Sequence, residues 1–283
     1  MSRKPRDHRH PPGSRPGETP SGPPHDGGRA AGRRSRERSP ERRSSDPDIV
    51  QLWGFHTVRE ALRSARRVPV RLLATEGATT RLEAELAARD LVPSVVTAEE
   101  LAARLPRDAV HQGLLLEARP LPPLGIEDLP GQGLVLVLDQ VTDPHNVGAI
   151  LRTAAAFGAV GLVTTERHAP EMTGVLGKAA SGALEHVPVV SVVNLARAME
   201  ALGDLGYARI GLDSEGAVPL ASVPVESATA LVLGAEGKGL RRLTRENCDV
   251  IAKLDFPGPI KSLNVSNACA AALTVLHLRV PAA

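Results

Sequence analysis

The sequence predicts an α/β protein with two ordered parts and an N-terminal tail. From about residue 49 onward, short apolar runs alternate with segments of helical periodicity, which is typical of layered strands and helices. A segment rich in proline and glycine, residues 120–133, divides this region and predicts a linker. The expected organisation is therefore a tail (1–48), a small α/β domain (49–119), the linker, and a larger α/β domain (134–283).

The tail, residues 1–48, is predicted to be disordered. It contains 12 Lys and Arg against 7 Asp and Glu, a charge of +5, whereas the rest of the chain, with 22 and 25, carries −3. It has 15 Gly or Pro and no Val, Ile, Leu or aromatic residue, so it cannot bury enough apolar surface to offset the entropy of ordering. A basic arm of this kind can bind nucleic acid without sequence preference, and a solvated tail without a specific role is the alternative.

The cysteine count argues against a disulfide-stabilised secreted protein. The chain has two cysteines, Cys248 and Cys269, and its nine histidines form no metal-ligand spacing, so we expect no metal site. The N-terminus lacks the apolar stretch of a signal peptide, and no run of about 18 apolar residues predicts a membrane span. We therefore expect a cytoplasmic protein without a membrane-spanning segment.

Both domains are expected to alternate strands and helices. In the smaller domain the patterns predict helices at 58–65, 79–90 and 98–105 and strands at 70–76, 92–97 and 111–119. In the larger domain they predict strands at 134–139, 160–165, 186–192, 208–213, 228–234 and 249–255, and helices near 146–157, 170–180, 194–205, 238–246 and 264–278. Because the strands of the larger domain are short and apolar throughout, they predict a mainly parallel sheet buried on both faces.

Three segments of the larger domain join an apolar strand to a polar turn and a helix, as ligand sites at the carboxyl ends of parallel strands do. They are residues 134–159, 231–249 and 254–280. The first has Asp-Pro-His-Asn at 143–146 in place of a G-x-G-x-x-G turn. A nucleotide-binding oxidoreductase is therefore not expected.

Asn146 and Arg152 are the candidate functional residues of the first segment. Asparagine at the start of a helix is typically an N-cap, which is the simpler interpretation of Asn146. The simpler interpretation of Arg152 is an exposed charge. Because a cation is poorly placed near the start of a helix, and arginine binds phosphate through two parallel hydrogen bonds, a phosphate contact is the alternative.

The other two segments contribute a glycine-rich loop and a helix of small residues. The loop GAEGKG (234–239) permits a ligand to approach the backbone closely, and its Glu236 can accept hydrogen bonds from a hydroxyl or an amine. In the third segment, Ser262 and Asn264 precede an alanine-rich helix. The alternatives to a ligand site are that Ser262 only caps this helix and that the helix makes a tight packing or dimer contact.

In this order, the three segments resemble the motifs of the SpoU (TrmH-like) branch of the SPOUT RNA methyltransferases. The matching residues are Asn146 and Arg152, then Gly234, Glu236 and Gly239, then the Ser-Leu-Asn-Val-Ser run at 262–266. In the smaller domain, LWGFHTVREAL (52–62) and AVHQGLLLEAR (109–119) resemble the substrate-binding domain of bacterial enzymes that methylate a guanosine ribose in large-subunit rRNA.

The resemblance implies features that the residues alone do not predict. It implies a C-terminal trefoil knot that forms an S-adenosylmethionine site, and a homodimer whose active sites take residues from both subunits. It also implies methyl transfer from S-adenosylmethionine to the ribose 2′-hydroxyl of a guanosine in 23S rRNA. The implied cofactor contacts are Gly234, Gly239, Leu254 and Leu263, and the implied catalytic residues are Asn146, Arg152, Glu236, Ser262 and Asn264.

Within this resemblance we expect Arg152 to bind phosphate and to stabilise a developing alkoxide, because arginine stays protonated and makes a poor base. Two other functions remain compatible with the motifs. One is a tRNA ribose 2′-O-methyltransferase, which the whole domain before the linker disfavours. The other is a catalytically silent RNA-binding homologue, which the presence of Arg152, Glu236 and Asn264 disfavours.

Overall fold

A computed structural model describes residues 49–167 and 174–279 of the chain, so the tail over residues 1–48 lies outside the described residues. The described chain contains two β-sheets, one of four strands and one of seven. The first sheet and its helices are formed by β1 (Val50–Trp53), α1 (Phe55–Arg63), β2 (Pro69–Ala74), α2 (Glu76–Thr80), α3 (Glu83–Arg89), β3 (Ser94–Val95), α4 (Ala98–Ala102) and β4 (Leu114–Ala118).

The first sheet is mostly antiparallel, with the strand order β1-β4-β2-β3. Strand β4 runs antiparallel to β1 and β2, and β3 runs parallel to β2. Alternate residues of β4 enter different cores: Leu114 and Leu116 pack with α1 and α3, while Leu115 packs with Trp53 and α4. Both faces of this small sheet are therefore covered.

Two features of this part differ from the prediction. The helix expected over 79–90 is two helices, because the chain leaves helical geometry at Leu82, which has φ −114° and ψ 12° and is fully buried. Strand β1 was not predicted, because a run of only four residues is too short for alternation to distinguish a strand from other structure.

The second sheet has seven strands, which all run parallel in the order β7-β6-β5-β10-β8-β11-β9. It confirms the predicted α/β fold with a parallel sheet. Its elements are β5 (Gly133–Asp139), α5 (Pro144–Ala156), β6 (Gly161–Thr165), α6 (Gly174–Ala180), β7 (Val189–Val192), α7 (Leu195–Asp204), β8 (Ala208–Leu212), β9 (Val218–Pro219), β10 (Ala228–Gly234), α8 (Arg242–Glu246), β11 (Val250–Lys253) and α9 (Val265–His277).

Helices cover both faces of the parallel sheet. Along β5, Leu136 and Leu138 pack with α5, α6 and α9, whereas Val135 and Val137 pack with α7 on the opposite face. Because each strand residue is buried on one side or the other, the strands appear in the sequence as continuous apolar runs. This burial explains why the central strands were predicted close to their observed bounds.

The helix predicted near 238–246 is shorter than expected. Gly237 and Gly239 adopt positive φ values of 75° and 63°, which a helix does not contain, so α8 starts only at Arg242. Part of another predicted helix, near 170–180, falls at 170–173, which lies outside the described residues.

The proline- and glycine-rich segment 120–133 packs on the second sheet. It contains a 3-10 turn, Ile126–Asp128, and its Ile126 and Leu129 are buried in the same core as α7. Leu124 forms an isolated parallel bridge with Val190. These contacts fix the segment that connects the two sheets.

A buried ion pair connects the two parts of the described chain. The guanidinium of Arg67, after α1, donates to Oε1 of Glu185 from Nη2 at 2.7 Å and from Nε at 3.0 Å. Both side chains are almost completely buried. The hydroxyl of Thr57 in α1 also donates to the carbonyl of Gly177 in α6, at 3.1 Å. Such contacts hold α1 against the turn that follows α6.

Three further properties of the described chain concern membrane spans, metal sites and thiols. None of the helices in the described ranges is long and apolar enough to cross a membrane. In the same ranges, no cluster of His, Cys, Asp or Glu is arranged to hold a metal ion. Cys248 and Cys269 are free thiols, and burial raises the pKa of each to about 12.

Candidate active site at the carboxyl edge of the parallel sheet

Strand register brings the three polar segments together at one edge of the sheet. Asp139, the last residue of β5, lies opposite Gly234, the last residue of β10. On the other side of β10, Leu233 lies opposite Leu212 of β8, which in turn lies opposite Ala252 of β11. The loops that follow these strands therefore start side by side, as the sequence predicts for parallel strands.

The first of these loops leads into α5 through Asp143. The carboxylate Oδ1 of Asp143 accepts a hydrogen bond from the backbone N–H of His145 at 2.9 Å, and Pro144 is the first helical residue. The interpretation of Asn146 as the N-cap is therefore wrong. Because Asp143 caps the helix, the side chain of Asn146 can make other contacts.

Asn146, Glu236 and Asn264 form a hydrogen-bonded cluster. Nδ2 of Asn146 donates to Oε1 of Glu236 at 3.2 Å, and Nδ2 of Asn264 donates to Oδ1 of Asn146 at 3.0 Å and also to Oε1 of Glu236. The backbone N–H of Val265 donates to the same carboxylate oxygen at 3.3 Å. One oxygen of Glu236 therefore connects α5, the glycine-rich loop and α9.

Asn264 is also the N-cap of α9. Its Oδ1 accepts from the backbone N–H of Ser266 at 3.0 Å and from the hydroxyl of Ser266 at 2.6 Å. The interpretation of Ser262 as the cap of this helix is therefore wrong. The amide nitrogen of Asn264 contacts the cluster while its oxygen caps the helix, so the start of α9 is tied to the site.

A cavity of about 510 Å³ opens beside this cluster. Its volume falls in the range of small-molecule sites, roughly 300–1,000 Å³. The glycine-rich loop 234–239 forms one wall, and leucine side chains supply apolar surface. The predicted site residues that line it are Gly234, Glu236, Gly239, Leu254, Ser262 and Leu263.

Asp213 and Arg245 also line the cavity, and sequence reasoning missed them. Oδ2 of Asp213 accepts from Nη1 of Arg245 at 2.7 Å, and Oδ1 accepts from the backbone N–H of Glu215 at 3.0 Å. A Cβ added to Gly239 would lie 3.1 Å from Oδ2 of Asp213, so the loop packs closely on this carboxylate. The position of Asp213 directly after β8 was the signal that could have identified it.

A second missed pair holds the glycine-rich loop in place. Asp139 is fully buried, and its carboxylate accepts from the backbone N–H of Arg241 at 2.9 Å and from Nε of Arg241 at 2.6 Å. Charge-assisted bonds of this length are among the stronger hydrogen bonds in proteins. The loop between β10 and α8 is therefore anchored to the end of β5.

Arg152 lies apart from the other predicted residues. It follows Asn146 by six residues along α5, a rise of about 9 Å, and it does not line the 510 Å³ cavity. Its exposed side chain has no hydrogen bond or ion pair within the described ranges. It borders a separate recess together with His56 and Arg59 of α1.

Known proteins match both parts of the chain. A model of the SpoU rRNA Methylase family matches residues 133–274, and a model for RNA 2′-O ribose methyltransferase substrate binding matches residues 51–124. A Burkholderia relative, 23S rRNA (guanosine-2′-O-)-methyltransferase RlmB, is 46% identical over 141 residues, or 50% of this chain and 57% of that protein. The protein of the same name from Pseudomonas putida is 38% identical over 226 residues, or 76% of this chain and 91% of that protein.

The fold also matches a solved structure. A putative RNA methyltransferase of the TrmH family from Porphyromonas gingivalis has a TM-score of 0.66 and 25% identity, over 82% of this chain and 90% of that one. The alignment therefore extends over both sheets. Together with the strand register and the Asn-Glu-Asn cluster, these matches show that the chain belongs to the SpoU rRNA methylase family.

Proposed function

We propose that this protein transfers a methyl group from S-adenosylmethionine to the ribose 2′-hydroxyl of a guanosine in 23S rRNA. The observation that carries the proposal is the match over both parts to the Pseudomonas putida enzyme, which is named for this reaction. Family membership alone would leave the RNA substrate open. The substrate-binding match over residues 51–124 supports an RNA substrate that contacts the smaller sheet.

The cavity at the carboxyl edge fits S-adenosylmethionine. Its leucine side chains suit an adenine ring and a methionine chain, and the glycines of the loop 234–239 leave backbone hydrogen-bonding groups accessible. We assign Gly234, Gly239, Leu254 and Leu263 to holding the cofactor. When bound, the cofactor supplies a methyl group activated by its sulfonium.

The protein's own groups then have to position and activate the ribose hydroxyl. We assign Asn146, Glu236 and Asn264 to orienting the ribose beside the cavity, with Ser262 at its rim. Arginine cannot accept a proton at neutral pH, so we assign Arg152 to binding an RNA phosphate and stabilising negative charge on the 2′-oxygen.

The separation of Arg152 from its own cluster supports an active site shared by two subunits. We propose a homodimer formed through the larger domain, in which Arg152 of the partner subunit faces each cavity. Large apolar side chains near the site and at the end of α9 supply surface for this contact: Ile260 and Leu278 are 73% and 77% exposed. Symmetric dimers with self-complementary surfaces are the commonest oligomers.

The proposal includes a trefoil knot and a cytoplasmic location. The knot is proposed from the match to the SpoU family over residues 133–274. The free thiols of Cys248 and Cys269 support a reducing compartment. The division into domains at 49–119 and 134–283, joined by 120–133, is likewise part of the proposal.

Methyl transfer to defined transcripts tests the reaction. The protein, incubated with labelled S-adenosylmethionine, should methylate an unmodified 23S rRNA transcript at a guanosine ribose and should leave tRNA transcripts unmodified. Calorimetry should give one S-adenosylmethionine per subunit and no binding of NAD. Methylation of tRNA alone would show that the protein is a tRNA ribose methyltransferase. Binding of rRNA without any methyl transfer would show that it is a catalytically silent homologue.

The role of Arg152 is tested by single-turnover methylation. Arg152→Ala should lower the rate roughly 10²-fold or more, the scale seen when one transition-state donor is lost, with unchanged S-adenosylmethionine affinity. Arg152→Lys should restore little, because a point charge cannot reproduce the planar fork of a guanidinium. A wild-type rate for Arg152→Ala would exclude Arg152 from the reaction and leave it as an exposed charge on α5.

A further inference from the structure

A second cavity lies where the two parts of the described chain meet. It has a volume of about 260 Å³ and lies between α1, α5 and the turn that follows α6. It is distinct from the cofactor cavity, with which it shares no lining residue. Its polar lining residues are His56, Arg59, Glu60, Arg152, Ser181 and His186.

The recess carries an excess of positive charge. Arg59 and Arg152 each contribute one positive charge, Glu60 contributes one negative charge, and the imidazoles of His56 and His186 add further nitrogen atoms. Partial burial acts to raise the pKa of Glu60, but hydrogen bonds from His186 and Arg59 and the charge of Arg63 outweigh it and lower the pKa. Glu60 therefore stays ionised, and its carboxylate accepts hydrogen bonds but donates none.

The carboxylate of Glu60 positions the basic side chains around it through hydrogen bonds. Its Oε1 accepts from Nε of Arg59 at 3.1 Å, and its Oε2 lies 3.1 Å from Nε2 of His186. The guanidinium of Arg59 also lies over the ring of Phe55, with 5.5 Å between its central carbon and the ring centroid. Arg59 and His186 are thus held at the recess with other donor atoms left for a ligand.

Arg152 supplies further hydrogen-bond donors to the recess from α5. Its guanidinium has no partner within the described ranges, so its five donors are available. Two arginines and two imidazoles around a small open recess are the groups that bind phosphate through charge-assisted hydrogen bonds. An acidic protein segment would also be attracted, but RNA is the polyanion that the family's chemistry brings to Arg152.

We infer that this recess binds one phosphodiester group of the RNA substrate, held jointly by His56 and Arg59 of α1 and by Arg152 of α5. The inference rests on the proposed function for the identity of the polyanion. It assigns α1 a direct role beside the arginine of the methyl-transfer site. The helix would then couple RNA binding on the smaller sheet to the placement of the reacting ribose.

The test uses charge-neutral substitutions in the full-length protein. Arg59→Gln removes the charge but keeps a donor for Glu60, and Arg59→Lys keeps the charge. Arg104→Gln is the matched control, because Arg104 is an exposed arginine of the same part of the chain and lines none of these cavities. Each variant is first compared with wild type by thermal unfolding and by S-adenosylmethionine calorimetry.

Filter binding of a 23S rRNA transcript over a series of KCl concentrations is the readout. Arg59→Gln should weaken binding about tenfold, because a hydrogen bond to a charged group is lost. It should also reduce the slope of log K against log salt by about one, because one phosphate contact is lost. Arg59→Lys and Arg104→Gln should keep the wild-type slope.

The outcomes separate this inference from the proposed function. If wild type methylates the transcript while Arg59→Gln keeps the wild-type slope and affinity, the recess is not a phosphate site and the proposed function stands. If Arg59→Gln loses the contact but wild type methylates no rRNA, the recess binds RNA phosphate and the proposed reaction is wrong. A loss of S-adenosylmethionine binding in Arg59→Gln alone would also overturn the inference, because the recess would then act through the cofactor cavity.

Discussion

The side-chain amide of Asn264 both caps α9 and joins the hydrogen-bonded cluster. Its oxygen caps α9 through Ser266, and its nitrogen donates to Asn146 and Glu236. The sequence placed Asn264 in the site by resemblance but gave no sign of the division between cap and cluster. That division depends on the orientation of one side chain, which only the packed structure determines.

Substitution can separate the two tasks of Asn264. Asn264→Ser keeps a good capping group but loses the amide donor, so the free energy of unfolding should stay within roughly 0.5 kcal/mol of wild type. Asn264→Ala loses both and should be destabilised by about 1 kcal/mol. Both variants should methylate rRNA more slowly, by about tenfold, because Glu236 loses a donor and the ribose is held less well. Urea unfolding and single-turnover methylation measure these changes, and a wild-type rate in Asn264→Ser would exclude a role for the amide.

The buried thiols of Cys248 and Cys269 predict that the stability of the fold falls at alkaline pH. Burial raises their pKa from the ordinary value of 9.0 to about 12, and the charges of Arg209 and Arg245 only partly oppose this at Cys248. Between about pH 9 and pH 12 the unfolded chain binds fewer protons than the folded protein, so stability falls as pH rises through this window. Below pH 9 the contribution is fully present.

Urea unfolding between pH 8 and pH 11 measures this effect. Cys269→Ala removes the more deeply buried thiol and should give a shallower decline of stability with pH, whatever its absolute stability. An unchanged decline in Cys269→Ala would mean that other groups cause it.

The cap of α5 could not be assigned from sequence alone. Asp143 and Asn146 are both good N-cap types three residues apart, and propensity does not choose between them. The choice falls on Asp143 because Pro144, with its fixed φ, suits the first helical position. Asn146 is thereby left out of the cap, and its amide nitrogen donates to Glu236.

Among the elements, α5 and α6 approach each other unusually closely at Gly148. A Cβ added there would lie 2.3 Å from Cβ of Ala179 and 3.0 Å from neighbouring backbone atoms. Real side chains do not tolerate such contacts, so the helices would have to move apart. Since α5 carries Asn146 and Arg152, their positions depend on this contact.

A helical glycine elsewhere provides the control for Gly148. Gly148→Ala should destabilise the protein by about 1–3 kcal/mol, as overpacking does, despite the better helix propensity of alanine. Gly77→Ala in α2 has nothing within 4 Å of the added Cβ and should stabilise by up to about 1 kcal/mol. Thermal and urea unfolding of both variants decide the matter, and equal stabilisation by both would contradict the close approach.

Elements were predictable in proportion to their burial. The strands β5 and β10 are covered on both faces, so their apolar runs predict their bounds to within a residue. The start of α8 was not predictable, because it depends on the positive φ of Gly239 and on the anchoring of Arg241 by Asp139. Both are tertiary features that helical periodicity does not contain.

For the whole molecule, the distance between Arg152 and its own cluster predicts complementation between subunits. Light scattering at micromolar concentration should report two chains. Arg152→Ala and Glu236→Ala should each be inactive alone. If each site takes Arg152 from the partner, mixed dimers contain one intact site, and random mixing should recover about a quarter of wild-type activity.

The same mixture distinguishes the alternatives. If Arg152 served the cluster of its own chain, every site in a mixed dimer would lack one group, and mixing would recover nothing. Remixing must be allowed by a brief dissociation step, with wild type carried through the same step as the control. A stable monomer with full activity would contradict the shared site altogether.

The cluster of Asn146, Glu236 and Asn264 also has a consequence for the order of events during protein synthesis. Its members are separated by 90 and 28 residues, and the last of them starts α9. Domains form as the chain emerges from the ribosome, N-terminal parts first. A nascent chain that has built the smaller sheet and most of the parallel sheet still lacks Asn264. If the smaller sheet contacts RNA as proposed, a nascent chain presents that surface before Asn264 completes the site, and RNA binding then precedes methyl transfer.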